Sequence, residues 1–351
     1  MPGNRKIRVL VVDDSAIVRK VLTEALSGHD DLEVVGTAPD PYIARDKILS
    51  LEPDVLTLDI EMPRMDGLTF LKKLMYFRPM PVIIISSLAQ ASCQTAMNAL
   101  SFGAVEVLAK PGGPHSVGEL RLELASKIRA AAASRVRQSA PAHQTAPAPA
   151  SPPPPPGASQ WTASTVIAIG ASTGGTEAIA HILPRLPQNM PGIVITQHIP
   201  AGFSRAFAAR LNQMCPFEVK EAVDGDILCP GRALLAPGDF HMLLRKSGAG
   251  YAVAVKTGPR VCYQRPSVDV MFSSVAECAG AHAVGVLLTG MGSDGAQGLL
   301  KMRQAGAHTI AQDEATCVVF GMPREAIRAG AAARVVPLPG IPQAILSAAP
   351  V

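Results

Sequence analysis

The sequence predicts two α/β domains, each a doubly wound parallel sheet, joined by a linker rich in proline and alanine. Two observations carry this prediction. Apolar runs rich in valine and isoleucine alternate with helical patterns in both halves of the chain, as parallel strands covered on both faces do. Near residue 131 the alternation stops, and it resumes about 30 residues later, too long a break for a loop inside one compact domain.

The first half of the chain holds five apolar runs that we interpret as strands. These runs are Ile7–Val12, Glu33–Gly36, Val55–Leu58, Val82–Ile85 and Val105–Leu108. Helical patterns lie between them, for example over Ile17–Leu26 and Leu68–Tyr76. This regular alternation of strand and helix predicts one doubly wound domain, which resembles the flavodoxin type and covers residues 5–125.

Residues 131–162 form the predicted linker. Its first thirty residues, AAASRVRQSAPAHQTAPAPASPPPPPGASQ, contain no acid and almost no branched apolar residue, so they cannot bury a core. The prolines favour the extended polyproline II conformation, which makes the segment a semi-rigid spacer.

A second α/β domain, of Rossmann-like type, is predicted at residues 163–348. Its predicted strands are Thr165–Gly170, Ile193–Thr196, Ala233–Leu235, Tyr251–Val255 and Val284–Thr289. Helical patterns cover Thr176–Leu183, Val268–Ala279 and Ala296–Gln304. The pattern is less regular between residues 215 and 265.

The composition argues against some classes of partner and indicates the cellular compartment. A net charge of +4 and only 4% aromatic residues argue against nucleic acid as a partner. The six cysteines form no C-x-x-C pair, which indicates reduced thiols and neither a disulfide framework nor a zinc site. The start of the chain, MPGNRKIRVLVVDD, has no apolar signal region, and no apolar run reaches the roughly 18 residues of a membrane span. We therefore expect a soluble cytoplasmic protein without direct membrane insertion.

Charged and hydroxyl side chains follow four predicted strands of the first domain. Asp13 and Asp14 follow the first strand, Asp59 the third, Ser86 the fourth and Lys110 the fifth. The carboxyl ends of parallel strands meet at one edge of a sheet, where open α/β sheets bind their ligands. Clustered carboxylates suit a hard cation such as Mg²⁺, and a metal beside a carboxylate and a lysine makes a phosphoryl-transfer site.

Each of these residues also has a simpler explanation. Asp13 and Asp14 could cap the next helix, Lys110 could be a solvated surface charge, and Ser86 could be an ordinary strand-end hydroxyl. Their joint placement at the ends of the strands favours the pocket.

The motifs VVDDS, LDIEMPRMDGL, ISS and AKP resemble a response-regulator receiver domain. The resemblance implies that Asp59 is the phosphoacceptor. It also implies that Asp14, Asp59 and the backbone carbonyl of Glu61 bind Mg²⁺, with Asp13 in support.

The same resemblance implies that Ser86 and Lys110 contact the phosphoryl group and that a histidine kinase supplies it. One position departs from the receiver pattern. Receivers usually carry an aromatic switch residue three positions before the lysine, and Val107 stands there in this chain.

The run TVIAIGASTGGTEAI places Ser172 after an apolar strand, in a glycine-rich turn that opens a helix. A helix N-terminus favours developing negative charge, so a serine there can be a nucleophile if a base reaches it. The alternatives are a helix N-cap and a dinucleotide-binding loop. The second is disfavoured because GASTGG is not G-x-G-x-x-G and no acid occurs between Glu177 and Glu218.

Five histidines of the second domain are candidates for the base: His181, His198, His241, His282 and His308. His198 closes a predicted strand and shares a sheet edge with Ser172 if their strands are neighbours, and His241 is the second choice. Asp294, in the loop of LTGMGSDGA, could orient the base or simply cap the next helix. Hydroxyl, imidazole and carboxylate at three strand ends fit a nucleophile, a base and an orienting acid.

Several blocks of the second domain resemble the catalytic domain of the chemotaxis protein-glutamate methylesterases, the CheB type, over roughly residues 163–348. These blocks include IGASTGGTEAI, ITQHIPAGF, APGDFHM, RPSVDVMF, LTGMGSDGA and CVVFGMPREAI. The resemblance implies that Ser172 is the nucleophile, His198 the general base and Asp294 the residue that orients the imidazole. It further implies an oxyanion site made by the Met291 backbone N–H with a contribution from the Thr173 region.

The implied substrates are γ-glutamyl methyl esters, and selected glutamines, on methyl-accepting chemoreceptors, hydrolysed without a cofactor. Mg²⁺ would serve the receiver alone, and the receiver would cover the catalytic cleft until it is phosphorylated. The alternative from another class is a response regulator whose second domain only binds a partner. A separate hypothesis rests on Arg185, Arg205 and Arg210: no acid occurs from Ala178 to Phe217, so these arginines could border a groove for acidic receptor helices.

Overall fold

The computed structural model of the protein describes residues 5–110, 117–134 and 164–348. The chain divides into two compact units, Met1–Gln144 and Thr145–Val351. Most of the predicted linker, from residue 135 to 162, lies outside the described residues. The domain boundaries 5–125 and 163–348 stay predictions.

The first unit contains a five-stranded parallel sheet. Its strands are β1 (Ile7–Val12), β2 (Leu32–Ala38), β3 (Val55–Asp59), β4 (Val82–Ser86) and β5 (Glu106–Ala109). Its helices are α1 (Ala16–Leu26), α2 (Pro41–Leu51), α3 (Gly67–Phe77), α4 (Gln90–Ser101) and α5 (Val117–Ala132). The strand order β2-β1-β3-β4-β5 is doubly wound, and its direction reverses between β1 and β3, where such sheets bind ligands.

The helices of this unit begin at capping side chains. Ser15, Asp40 and Asp66 each accept a hydrogen bond from a backbone N–H in the first turn of α1, α2 and α3. Because Ser15 caps α1, the suggestion that Asp13 or Asp14 caps this helix is wrong. Both carboxylates are therefore available to the pocket.

The second unit is built on a seven-stranded sheet with a separate three-stranded sheet beside it. Its strands are β6 (Val166–Ala171), β7 (Gly192–Gln197), β8 (Glu218–Glu221), β9 (Ile227–Leu228), β10 (Arg232–Leu235), β11 (His241–Ser247), β12 (Gly250–Lys256), β13 (Ala283–Leu287), β14 (His308–Gln312) and β15 (Arg334–Val336). Its α-helices are α6 (Gly175–Ile182), α7 (Phe203–Met214), α8 (Val268–Ala279), α9 (Ala296–Gln304), α10 (Met322–Arg328) and α11 (Ile341–Leu346).

The large sheet is parallel, with strand order β15-β14-β13-β6-β7-β10-β8. The predicted fold class, two parallel-sheet α/β domains, is confirmed. The predicted strand at Tyr251–Val255 is real but belongs to β12 of the antiparallel sheet β11-β12-β9, so it does not extend the parallel sheet. This sheet accounts for the irregular pattern between residues 215 and 265.

The strand order places the candidate catalytic residues at one edge. Strand β6 is buried throughout and lies between β7 and β13, so the chain leaves three neighbouring strands at Ser172, His198 and the loop that holds Asp294. Helix α8 packs tightly under this edge. A Cβ placed on Gly170 of β6 would lie 2.2 Å from Val268 of α8, so only glycine permits this approach.

Within the described residues, no helix is both long and apolar enough to cross a membrane. All six cysteines are free thiols, as expected from their spacing.

Candidate functional sites

The acidic pocket of the first unit lies at the carboxyl ends of β1, β3 and β5. Asp13 and Asp59 are buried, and Asp14 is exposed. The Lys110 ammonium lies 2.8 Å from Asp59 Oδ2 and 3.2 Å from Asp13 Oδ2. The interpretation of Lys110 as a solvated surface charge is therefore wrong, since it bridges two buried carboxylates.

Burial raises the pKa of Asp59 to about 6; the charge of Asp13 adds to the rise, and the hydrogen bond from Lys110 limits it. Burial also raises the pKa of Asp13, although Lys110 opposes this. Burial alone would lower the pKa of Lys110, but its bonds to the two carboxylates outweigh that and raise it. One ammonium thus only partly neutralises the pocket, which favours a further cation.

The donors of the pocket fit Mg²⁺. Carboxylate oxygens of Asp13, Asp14 and Asp59 lie within 4.8 Å of one another, and such oxygens are the ligands that this ion prefers. Ser86 Oγ is buried at the end of β4 and has no hydrogen-bond partner among the described residues. A buried hydroxyl without a partner is costly, so it suits a phosphoryl oxygen as acceptor.

Val107 occupies the position of the usual aromatic switch. It is fully buried in β5, in register with Ile84 of β4. A valine has no ring that could rotate between a buried and an exposed position.

Ser172 follows β6 and is buried, with its backbone N–H donating to the Thr289 carbonyl at 3.0 Å. Helix α6 begins after Gly174 without any side-chain cap, so the alternative of Ser172 as an N-cap is wrong. A Cβ on Gly290 would lie 2.6 Å from the Ser172 Cβ. The backbone of Gly290 therefore passes directly beside the serine.

The two glycines that follow Thr173 are required by the turn. Gly174 has φ +78°, and a Cβ there would lie 2.5 Å from Val318. A Cβ on Gly175 would lie 2.2 Å from Gln197 Oε1. Glycine at both positions is thus needed to bring the start of α6 close to Val318 and Gln197.

His198 and Asp294 form a buried pair. His198 Nε2 lies 2.7 Å from Asp294 Oδ2, and both side chains are 2% exposed. His198 Nδ1 is buried and has no hydrogen-bond partner among the described residues. Because Nε2 must carry the proton that it donates to the carboxylate, Nδ1 is the nitrogen free to act as a base.

Asp294 does not cap the helix that follows it, because α9 has no side-chain cap. Its carboxylate instead sits at the start of α8, where it accepts from the Val268 and Asp269 N–H groups at 2.7 and 3.0 Å. Burial alone would raise the pKa of Asp294, but its bond to His198 and these backbone donors hold the pKa below its usual value. The carboxylate is thereby kept ionised beside the imidazole.

The other histidines that were candidates for the base are not placed for that role. His241 Nε2 bonds the Pro259 carbonyl at 2.9 Å, and its Nδ1 accepts from the Ser267 N–H at 3.2 Å, so both nitrogens are occupied. His181 lies within α6, where burial and then the charge of Arg185 lower its pKa. His282 and His308 are exposed.

Two residues that tie the site together were missed in the sequence. Gln197 Nε2 donates to the carbonyls of Ser172 and His198, at 2.9 and 3.3 Å. Thr289 Oγ1 bonds the Thr173 carbonyl and the backbone of Val319. Neither side chain is charged, and the only available signal was that Gln197 adjoins His198 and Thr289 adjoins the GMG loop.

Two of the three arginines of the acid-free stretch pair with acids that lie outside it. Arg210 forms a 2.7 Å ion pair with Glu177, and Arg205 lies 3.4 Å from Glu221. Arg185 donates to the backbone carbonyl of its helical neighbour His181. A backbone carbonyl does not neutralise the charge of Arg185, and the Arg205 side chain is largely exposed, so the hypothesis that these arginines border a groove stays a prediction.

Fold and sites together define a response-regulator receiver joined to a parallel-sheet hydrolase domain. The comparisons with known proteins agree: residues 167–345 match the family described as CheB methylesterase, and residues 9–120 match the response-regulator receiver domain. The chain belongs to the CheB methylesterase family, and its expected enzyme class, a carboxylic ester hydrolase, is confirmed.

Similar proteins cover nearly the whole chain. A protein-glutamate methylesterase/protein-glutamine glutaminase of Syntrophus aciditrophicus is 56% identical over 97% of this chain and 98% of its own length. One of Salmonella typhi is 53% identical over 97% of each. The crystal structure of the Thermotoga maritima CheB methylesterase catalytic domain is 38% identical, with a TM-score of 0.52 over 53% of this chain and 99% of that one.

Proposed function

We propose that this enzyme hydrolyses γ-glutamyl methyl esters on methyl-accepting chemoreceptors and deamidates selected glutamines there. The observation that carries the proposal is the buried His198–Asp294 pair at the sheet edge where Ser172 follows β6. Relatives that span the same length bear the names of both activities. The protein acts in the cytoplasm, where the modified helices of such receptors would lie.

Ser172 is the nucleophile of the proposed reaction. Its hydroxyl proton passes to His198 Nδ1 as Oγ attacks the ester carbonyl, and Asp294 steadies the imidazolium through Nε2. The tetrahedral intermediate collapses, the proton goes to the leaving methoxide, and methanol departs. Water, deprotonated by His198, then hydrolyses the acyl-enzyme to free glutamate and restores Ser172. A glutamine substrate follows the same steps with ammonia as the leaving group.

The Met291 backbone N–H and the Thr173 region stabilise the oxyanion in this proposal. Two observations support it. The Ser172 N–H is engaged with the Thr289 carbonyl, so the donors must come from elsewhere. Gly290, which precedes Met291, passes beside the serine, and only glycine at 290 allows this approach.

Asp59 is the phosphoacceptor, and a histidine kinase is the phosphodonor. Asp14, Asp59 and the Glu61 carbonyl would hold Mg²⁺, with Asp13 in support, and the ion would neutralise charge during phosphoryl transfer. Lys110 and the hydroxyl of Ser86 would contact the transferred group. Ester hydrolysis itself uses no cofactor.

Phosphorylation activates the hydrolase in this proposal. The unphosphorylated receiver covers the cleft around Ser172, and phosphorylation shifts the equilibrium towards the open form. Since Val107 replaces the usual aromatic residue, the effect of phosphorylation is transmitted from the pocket without an aromatic ring that rotates at that position.

A methanol-release assay tests the function. Chemoreceptors carrying labelled methyl esters are incubated with the full-length enzyme, with and without a small-molecule phosphodonor, and with a fragment that begins at Ala163. We expect release by the full-length enzyme to rise with the phosphodonor, and the fragment to exceed the unphosphorylated enzyme. No release from any sample would reject the substrate, and equal rates for fragment and unphosphorylated enzyme would reject occlusion.

A further inference from the structure

A chain of hydrogen bonds leads from the catalytic pair into the small antiparallel sheet. Ser267 Oγ donates to Asp294 Oδ1 at 2.8 Å, so among the described residues this carboxylate accepts from the side chains of Ser267 and His198. The Ser267 backbone N–H donates to His241 Nδ1, whose ring in turn bonds the Pro259 carbonyl. Ser267 is fully buried, and His241 is 5% exposed.

The two contacts of His241 select one form of its ring. The Pro259 carbonyl can only accept, so Nε2 must carry the proton. Nδ1 must then be bare, because it faces the Ser267 N–H. A second proton on Nδ1 would bring two donors, the Nδ1–H and the Ser267 N–H, face to face. Nδ1 therefore acts as a fixed acceptor for the Ser267 N–H.

Ser267 is held at both ends by this arrangement. It is the N-cap of α8, and its Oγ also accepts weakly from Val270 N at 3.4 Å. Its backbone is anchored to His241, the first residue of β11, which belongs to the small sheet. The start of α8, which supplies the other donors to Asp294, is thereby fixed relative to the catalytic edge.

We propose that Ser267 and His241 are positioning residues for catalysis, through which the small sheet fixes the orientation of the Asp294 carboxylate and hence of His198. The proposal deepens the proposed hydrolysis and rests on it for the natural substrate. Neither residue touches the substrate; both act through the carboxylate that orients the base. A carboxylate that loses one side-chain donor can rotate, so the imidazole would spend less time aligned with Ser172.

The test of Ser267 uses Ser267→Gly, because glycine is nearly as good an N-cap as serine and so keeps the helix start. Two rates are measured on the full-length enzyme with phosphodonor: methanol release from methylated receptor, and covalent labelling of Ser172 by a fluorophosphonate. We expect kcat and the labelling rate to fall roughly tenfold, the scale of one hydrogen bond to a charged group, with KM unchanged.

A double-mutant cycle separates positioning from a general structural effect. In an Asp294→Ala background, Ser267→Gly should cause no further loss, because its route to His198 is already absent. The same fold-loss in both backgrounds, or no loss in the parent enzyme, would overturn the proposal. Labelling of Ser172 does not depend on the natural substrate. If the parent enzyme is labelled but releases no methanol, the proposed substrate is wrong, and the labelling rates in this cycle still test the positioning role.

His241 is tested by a matched pair of variants. His241→Asn keeps an acceptor near the place of Nδ1, whereas His241→Leu removes it. We expect His241→Asn to retain most of the labelling rate and His241→Leu to lose about as much as Ser267→Gly, roughly tenfold. Equal losses in both variants, at matched thermal stability, would overturn the role assigned to His241.

Discussion

Both sites of this protein lie where parallel strands end at the carboxyl edge of a sheet, but different interactions hold them. In the receiver pocket, Lys110 bridges Asp13 and Asp59, and charge dominates. In the hydrolase site, neutral groups support the hydrogen-bonded pair of His198 and Asp294. The side chains of Gln197 and Thr289 bond to the backbone around Ser172 and His198.

The difference suits the two kinds of chemistry. A pocket that binds a cation and a phosphoryl group must change its charge, so it needs excess carboxylate that a single lysine only partly neutralises. A serine hydrolase needs a fixed geometry, with the base held to within a fraction of an ångström. Neutral hydrogen bonds to the backbone provide that without altering the charge near the base.

The largest effect is expected at the nucleophile. Ser172→Ala should lower phosphodonor-stimulated methanol release by about 10⁴-fold or more, because no other group can form the acyl-enzyme. Ser273→Ala, which alters only a surface contact with Lys301, is the matched control and should keep full activity. Unchanged release by Ser172→Ala would show that Ser172 is not the nucleophile.

Asp294→Asn should cost about 10³-fold in kcat, because an amide cannot accept from all four donors and no longer stabilises the imidazolium. The matched control is Asp269→Asn. Asp269 Oδ1 accepts from the Gly298 N–H and does not contact His198, so this change should cost less than about tenfold. Similar losses in the two variants would contradict a specific role for Asp294.

Lys110→Ala should abolish stimulation by the phosphodonor and leave basal hydrolysis unchanged. It leaves two buried carboxylates without their cation, so the free energy of unfolding of the receiver should fall by about 3 kcal/mol in Mg²⁺-free buffer. Added Mg²⁺ should restore part of that loss, as read by chemical denaturation.

Lys20→Ala is the control for Lys110. Its partner Glu24 and Lys20 itself are both well exposed, so the change should cost less than about 1 kcal/mol. Retained stimulation in Lys110→Ala would remove this lysine from the phosphoryl site.

The smallest effect is expected from Thr289→Val, which keeps the shape of the side chain and removes its hydroxyl. The Val319 N–H would lose its acceptor, so the second domain should lose about 1–3 kcal/mol of unfolding free energy. We expect only a few-fold loss in kcat. Thr95→Val, at a half-buried position of α4 where the hydroxyl donates to the Ala91 carbonyl, should alter neither quantity, and a larger loss in it than in Thr289→Val would contradict this account.

The sequence predicted the strands that carry the sites because buried parallel strands are continuous apolar runs, as in β1, β3 and β6. It missed β8, β9, β11, β14 and β15. Some of these strands are short or exposed, as the three-residue strand Arg334–Val336 illustrates, and β14 is buried but mixes polar with apolar residues. The pairing of β6 with both β7 and β13 could only be assumed. That pairing decides whether His198 and Asp294 meet near Ser172.

Charged residues were easier to assign than neutral ones. Asp59 and Lys110 stand out at strand ends because unpaired burial of a charge is costly. The bonds of Gln197 to Ser172 and of Ser267 to Asp294 join residues that are distant in sequence, so the residue types carry no signal of these contacts. His241 stayed the second candidate for the base, because the sequence does not show that both of its ring nitrogens are occupied.

The central claim is that Asp59 controls the chemistry at Ser172. The most direct measurement is methanol release by full-length enzyme and by Asp59→Asn, each with and without a phosphodonor and Mg²⁺. We predict a clear rise in the parent enzyme and none in Asp59→Asn, with equal basal rates. Equal stimulation of both proteins, or no stimulation of a parent enzyme that is demonstrably phosphorylated, would contradict the claim.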